Sequence, residues 1–401
     1  MKRPGGSKRW RRLGTATLGV LVVLAVGAVV SSSGCASFGG VPSGERLARL
    51  ERSPQYKDGV FFNEESTTMM GDVGTKVLSE FLFGNGAMRV PSCALPLFKG
   101  TAERLASAPA SGLRVTWLGH STSLIELDGV RVLSDPMWSE RASPFTVAGP
   151  KRFHPPPLPL AQVGKLDAVI VSHDHYDHLD MATVEALAKT GVVFHVGLGV
   201  GAHLEAWGVP AAQIVEHAWW DEVTLPGGVR LISVPARHFS GRLPTRNNTT
   251  QWTSWALVGP QHRLFFSGDT GKTALHAEIG KRLGPFDVAM LEIGQYHPAW
   301  GKIHLGPVGA LETSQALTAR RLLPIHWATF ELGLHAWSEP PETLVTEAKP
   351  RGVALVTPML GEPVEPEVDQ GSTWWRALPP LAARCPQGAE LAVRSLDDWA
   401  L

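Results

Sequence analysis

From residue 113 onward, short apolar runs alternate with breaks rich in Gly, Pro, Asp and Asn, the pattern of a body built on β-strands. Leu113 to Leu118, Ser123 to Leu127 and Val130 to Ser134 predict three strands close together. Asp128-Gly129 between the last two predicts a tight hairpin, because a two-residue loop of this kind needs positive φ at both central positions. Leu166 to Ser172 is apolar and β-branched and predicts a buried strand. More strands are predicted near 192–196, 229–234, 253–258, 263–267 and 287–291, with Leu322 to Ile325 and Gly352 to Pro358 closing the series. Helical spacing appears over Glu45 to Arg52, Gly74 to Leu82, Met181 to Lys189 and near 307–319. The run His154 to Pro159 holds four prolines and suits neither a helix nor a central strand. Strands interleaved with helices predict an α/β fold.

The residues that end these strands carry the candidate chemistry. His173-Asp174-His175-Tyr176-Asp177-His178 follows the buried run directly, with metal-binding groups spaced H-x-H-x-D-H. Imidazole and carboxylate suit zinc or a similar borderline metal. One ion cannot easily use four neighbours in a tight loop, because their side chains diverge. Two ions need about eight ligand positions, so more ligands are expected downstream. Three apolar runs supply them at their C-terminal ends: His238 after Leu231 to Ala236, Asp269 between glycines after Leu264 to Phe266, and His326 after Leu322 to Ile325. The expected set is His173, His175 and His238 on one ion, Asp177, His178 and His326 on the other, and Asp269 bridging. Asp177 is also expected to hold the proton of a bridging water. Asp174 falls outside the ligand slots and is expected as a loop cap or a support behind the ligands. Asp135, ending the third strand, can accept the free ring N–H of a ligand histidine, or serve only as a turn carboxylate before Pro136. His120 lies near the metals or makes a structural hydrogen bond.

The order H-x-H-x-D-H, His, Asp, His resembles the metallo-β-lactamase-fold hydrolases. Trp117-Leu118-Gly119-His120-Ser121-Thr122, Ser134-Asp135-Pro136, Arg141-Ala142-Ser143-Pro144, Gly149 to Phe153, Ser267 to Gly271 and Pro324 to Trp327 are similar to the N-acyl-phosphatidylethanolamine phospholipase D family. The resemblance spans roughly residues 54 to 366. It implies an αββα sandwich with an N-terminal extension and a C-terminal tail, and a zinc-dependent phosphodiesterase in which two ions hold a hydroxide that attacks a phospholipid-like diester. Manganese and iron suit the same ligands. It also implies a substrate-facing histidine before a helix, matched by His304, with His297 as its rival. Asp269 stands where metallo-β-lactamases proper commonly carry cysteine, which argues against antibiotic hydrolysis. Two other readings stand beside it: a lactonase or carboxyl-ester hydrolase on the same scaffold, and a catalytically silent tethered binding protein.

Composition bounds the rest. Lys+Arg and Asp+Glu are both 37 in 401 residues, so the chain lacks the basic field of a nucleic-acid enzyme, and no nucleic-acid partner is expected. Lys2, Arg3, Lys8, Arg9, Arg11 and Arg12 precede an apolar stretch from Leu13 to Val30, then Ser31-Ser32-Ser33-Gly34-Cys35. This predicts an exported, membrane-anchored bacterial lipoprotein attached through Cys35, or a single uncleaved anchor helix. Cys93 and Cys385 then form a disulfide or remain two buried thiols. The expected domains are 1–35 signal or anchor, 36–110 linker and extension with a flexible spacer at Gly39 to Gly44, 111–366 catalytic body, and 367–401 tail. Trp374 and Trp375 in that tail either rest on a membrane interface or pack on the core.

Overall fold

The computed structural model describes residues 36–67, 88–243, 245–300 and 302–378. Cys35, Cys385 and the predicted helix at Gly74 to Leu82 lie outside them. Two sheets stack face to face. The first runs in the order β15-β3-β4-β5-β6-β7-β8, where β3 is Leu113–Gly119, β4 Thr122–Leu127, β5 Val130–Ser134, β6 Ala168–Ile170, β7 Phe194–Gly197, β8 Ile214–His217 and β15 Pro363–Val364. The second runs β14-β13-β12-β11-β10-β9, where β9 is Glu222–Thr224, β10 Arg230–Val234, β11 Ser254–Val258, β12 Arg263–Phe266, β13 Val288–Glu292 and β14 Leu322–Ile325. A small hairpin, β1 (Tyr56–Lys57) and β2 (Val60–Phe61), belongs to the N-terminal extension.

The alternation of side chains explains why both faces of the first sheet are apolar. Val115, Trp117, Ile125, Val132, Ala168 and Ile170 point between the sheets against Leu231, Trp255, Leu257 and Phe266. Their neighbours Leu124, Leu133, Val169 and Val171 point outward, under Val184 and Leu187 of α3 (Met181–Ala188) and Leu204 of α4 (Gly201–Ala206). The outer face of the second sheet is covered by α5 (Leu275–Leu283), α6 (Gly306–Ala316) and α7 (Glu339–Arg351), through Ile279, Leu311 and Leu344. The expected αββα sandwich results. Two further helices, α1 (Gly44–Glu51) and α2 (Thr101–Leu105), precede it.

β5, β6, β7 and β8 pair in parallel, as do β12, β13 and β14. Their C-terminal ends therefore gather along one edge of the sandwich, where loops from both sheets meet. Asp128 and Gly129 turn β4 into β5 with φ of 50° and 86°, as the hairpin requires.

Two expectations are corrected, and one open alternative is decided. Gly352 to Pro358 is not a strand, because Val356 N–H donates to Leu322 and Thr357 N–H to Gln370, so no single ladder forms. Gly39 and Gly40 are not a free spacer but pack on α4, and α1 begins at Gly44. Trp374 and Trp375 are buried, with Trp374 stacked 5.3 Å from Trp327, which takes the core alternative over the membrane one. Cys93 is buried and disulfide-bonded, and its partner lies outside the described residues.

Candidate metal centre

Strand ends deliver the side chains. β6 runs straight into Ser172 and His173, and the loop to His178 closes as a turn in which His178 and Leu179 N–H groups donate to His175. Asp174 points away from the cluster and holds this loop from behind, accepting from Gly241 N–H (2.7 Å), Thr250 Oγ1 (2.9 Å) and His203 Nε2 (3.1 Å). Asp269 follows β12 after Gly268, whose φ of +54° and contact with Ser172 leave no room for a Cβ. That glycine lets the second sheet approach the loop of the first. His238 follows β10, and His326 ends β14 in the left-handed region at φ 67°. A non-glycine residue held there costs about 1–3 kcal/mol, a strain typical of functional sites.

The seven expected side chains converge. Atoms of His173, His175 and His238 lie within 4.8 Å of one another, as do those of Asp177, His178, His326 and His120, and those of His173, His178 and Asp269. Asp269 sits centrally, with Oδ2 at 3.2 Å from His178, 3.7 Å from His238 and 3.9 Å from His173, and Oδ1 at 3.1 Å from His326. Asp177 Oδ2 is 3.3 Å from His178 Nε2 and 3.5 Å from His326 Nε2.

The hydrogen-bond accounting tests whether a cation fits. His178 Nε2, His238 Nε2, His326 Nε2 and Asp269 Oδ1 are buried and lack an aligned hydrogen-bond partner, despite their short mutual distances. Buried polar atoms are ordinarily paired. Here imidazole nitrogens and carboxylate oxygens all turn toward one centre, a donor set that metal ions satisfy.

The far sides of the rings are tied down. His178 Nδ1 meets Asp135 at 2.7 Å, and Asp135 also accepts from Ser172 N–H and Oγ, both at 2.7 Å. Ser172 Oγ is 2.9 Å from His173 Nδ1. His238 Nδ1 donates to the Ile303 carbonyl at 2.9 Å. Such partners fix the ring tautomer and orientation. Asp135 is therefore more than a turn carboxylate. His120 is fully buried, at φ 50°, with Nε2 2.8 Å from Asp177 Oδ2. It lies within the cluster and holds Asp177 by that hydrogen bond.

Electrostatics follow from burial and charge. Burial opposes the charged form of Asp269 and Asp177, but the surrounding histidines outweigh it and hold both well below the usual carboxylate range. Burial also opposes protonation of His326, yet Asp269 and Asp177 push it up to about 10. His120 is depressed to about 3 by burial and by its neighbour His326. Burial likewise lowers His173, His175 and His238 and keeps these rings neutral donors.

His304 reaches the cluster rim, with Nδ1 2.6 Å from Glu292 Oε2 and its ring 5.2 Å from that of His238. Burial lowers its pKa, but Glu292 outweighs this and raises it. His297 stays in its own loop, accepting from Ala299 N–H. Glu292 was not anticipated. It ends β13, is fully buried, and also accepts from Thr270 N–H (2.8 Å) and Leu305 N–H (3.3 Å). Asn63 was not anticipated either. Its side chain bonds both the carbonyl (2.8 Å) and the N–H (3.1 Å) of His238.

A β-lactamase superfamily domain model matches residues 130–327. An uncharacterized protein of Mycobacterium tuberculosis is 45% identical over 334 residues, 81% of this chain and 88% of that one. An N-acyl-phosphatidylethanolamine-hydrolyzing phospholipase D of Caenorhabditis elegans is 37% identical over 256 residues, 61% of this chain and 71% of that one. Among solved structures, an isothiocyanate hydrolase from Delia radicum gut bacteria superposes with a TM-score of 0.51 at 21% identity, over 63% of this chain and 98% of that one, a likeness of fold alone. The ring of strand-end histidines and carboxylates and the extent of these matches agree: the chain belongs to the metal-dependent hydrolases of the metallo-β-lactamase fold, near the N-acyl-phosphatidylethanolamine-hydrolysing phospholipase D family.

Proposed function

We propose that this protein is a phosphodiesterase of the phospholipase D type that uses two divalent ions, with zinc the best match to its ligands. His173, His175 and His238 would hold one ion, Asp177, His178 and His326 the other, and Asp269, which lies near both sets, would be shared between them. When bound, two such ions lower the pKa of water and neutralise charge on phosphoryl oxygens. The observation that carries the reading is the set of buried, unpartnered nitrogens and oxygens on four strand ends, all facing one centre.

The chain's own residues supply the rest. Asp177 is set to hold a proton of the attacking water, with His120 fixing its carboxylate. Glu292 engages Nδ1 of His304, leaving Nε2 to donate to a phosphoryl or leaving oxygen. A hard carboxylate at Asp269 suits phosphate esters, as it does thioesters and lactones. The relative named as hydrolysing N-acyl-phosphatidylethanolamine supports an amphipathic diester as substrate.

We further propose export and attachment to a membrane through Cys35. The support is the basic, apolar and small-residue order of residues 2–35. No helix among the described residues is long and apolar enough to cross a membrane.

Elemental analysis of active protein is expected to give about two ions per chain; one or none sinks the two-ion reading. Turnover of phosphodiesters, faster on lipid diesters than on soluble ones, is expected in parallel. Lactone opening without phosphodiester turnover moves the protein to a different hydrolase class.

A further inference from the structure

An anchored enzyme ordinarily hangs from a flexible linker, but this chain leaves none between Cys35 and its body. The Ala36 carbonyl accepts from the Trp207 indole N–H at 2.8 Å, and the Ser37 carbonyl from Arg242 Nε at 2.8 Å. Gly39 lies at φ +72°, against the His203 ring so closely that a Cβ would overlap it. Helix α1 follows, pinned by fully buried Leu50 and by Arg46, which pairs with Glu205 at 2.8 Å and Glu216 at 2.5 Å.

This docked segment is coupled to the metal loop. Arg242 also donates from Nη1 to the carbonyls of Asp174 (2.7 Å) and Leu179 (2.9 Å), and its guanidinium lies 4.0 Å over the Tyr176 ring. One arginine thus bridges Ser37 and the residue between His173 and His175.

Apolar side chains stand out beside the segment. Phe38 packs edge-on against Phe145, with ring centroids 6.4 Å apart. Phe145 opens a loop that Arg141 shapes by bonding the carbonyls of Thr146 and Gly149. At its tip Val147 is 67% exposed, and Val41, on the docked segment, is 55% exposed.

We propose that the face formed by Phe38, Val41, Phe145 and Val147 rests on a phospholipid bilayer, so that the docked N-terminus fixes the orientation of the metal cluster over the membrane. This rests on the tether reading above and adds a face to it. Successive Cα atoms are about 3.8 Å apart, so an acylated Cys35 keeps Ala36, and the surface holding it, at headgroup depth. In the uncleaved-helix alternative, residues 31–35 add at most roughly 18 Å, which turns the same face to the bilayer. Apolar side chains beside the anchor add retention through the area they bury.

The test uses the full chain in vesicles of equal parts phosphatidylethanolamine and phosphatidylglycerol, with or without brominated acyl chains. An environment-sensitive fluorophore is placed at Val147→Cys, Val41→Cys or Val368→Cys, with the unsubstituted chain as labelling blank. Val368 is 75% exposed and follows β15, at the opposite edge of the first sheet. The expected result is a blue shift and severalfold quenching by brominated lipid at 147 and 41, with neither at 368. Equal quenching at 147 and 368, or none at either, in chain that sediments with vesicles overturns the face and leaves the tether standing. Chain that stays in the supernatant overturns both. Turnover of a soluble diester in the same vesicles reads the catalytic proposal separately.

Discussion

The two halves of the metal cluster are held by different kinds of structure. Behind His178 stands Asp135 as a hydrogen-bond partner, and 3.8 Å from His326 Nδ1, beyond hydrogen-bond reach, stands Glu292, both carboxylates fully buried at the ends of core strands. Behind His173 and His238 stand a serine hydroxyl and the Ile303 carbonyl, and His238 is further clamped by Asn63 from the N-terminal extension. A carboxylate partner makes imidazole a more basic ligand than a neutral oxygen does. The contrast teaches that one half belongs to the sandwich itself and the other depends on segments laid over it.

The change that erases the contrast has the largest expected effect. Asp269 touches both halves, so Asp269→Asn should lose metal from both and lower turnover about a thousandfold, several kcal/mol of barrier. His304→Ala should lower turnover about a hundredfold, with metal content unchanged, because its ring donates without bridging. Elemental analysis beside single-turnover rates checks both. Wild-type rates in Asp269→Asn would show the bridge to be misassigned.

The same contrast governs what the sequence made legible. His173 to His178 stood out because one short loop carries four possible ligands, and His238, Asp269 and His326 because each ends an apolar run. The apolar runs predicted strands interleaved with helices, and the αββα layering came only with the family resemblance. Glu292 ends such a run too, and attention to the carboxylate at that strand end would have found it. Asn63 had no signal, since its role exists only when the extension folds back onto a residue 175 positions away. The docking of Gly39 was hidden for the same reason: glycines that permit close packing and glycines that give slack look alike in sequence.

Graded metal removal sharpens the comparison. Under a chelator the His173, His175 and His238 half should empty first and the Asp177, His178 and His326 half second. Asp135→Asn should weaken the second half about tenfold to a hundredfold, narrowing the gap between the steps. Asn63→Ala should weaken only the first, by a smaller factor, because it removes a backbone clamp rather than a ligand's partner. Release followed with a chromogenic chelator checks both, and loss from both halves alike in Asn63→Ala breaks the comparison.

The smallest expected effect lies at the opposite end of the sandwich, where a carboxylate and a histidine meet with no cluster beside them. Asp128, in the β4–β5 turn, takes His262 Nδ1 at 2.6 Å and the N–H groups of Gln261 (2.9 Å) and His262 (3.1 Å) from the β11–β12 turn. It resembles the Asp135–His178 pair, but it joins two hairpins and nothing more. Burial alone would raise the Asp128 pKa, yet His262 and these N–H groups outweigh it and depress it. A carboxylate depressed in the folded state contributes stability that is complete above the ordinary carboxylate range and is lost as pH falls through its folded value. Asp128→Asn keeps the left-handed turn, which asparagine tolerates, and removes the charge together with one of the two acceptor oxygens. It should therefore cost about 1–2 kcal/mol at neutral pH, with the difference from wild type shrinking in acid. Denaturant unfolding at neutral and acidic pH measures this, and metal content should stay at the wild-type level. Loss of metal in Asp128→Asn would mean that the two ends of the sandwich are coupled, and the division between a self-supporting half and an overlaid half would have to be redrawn.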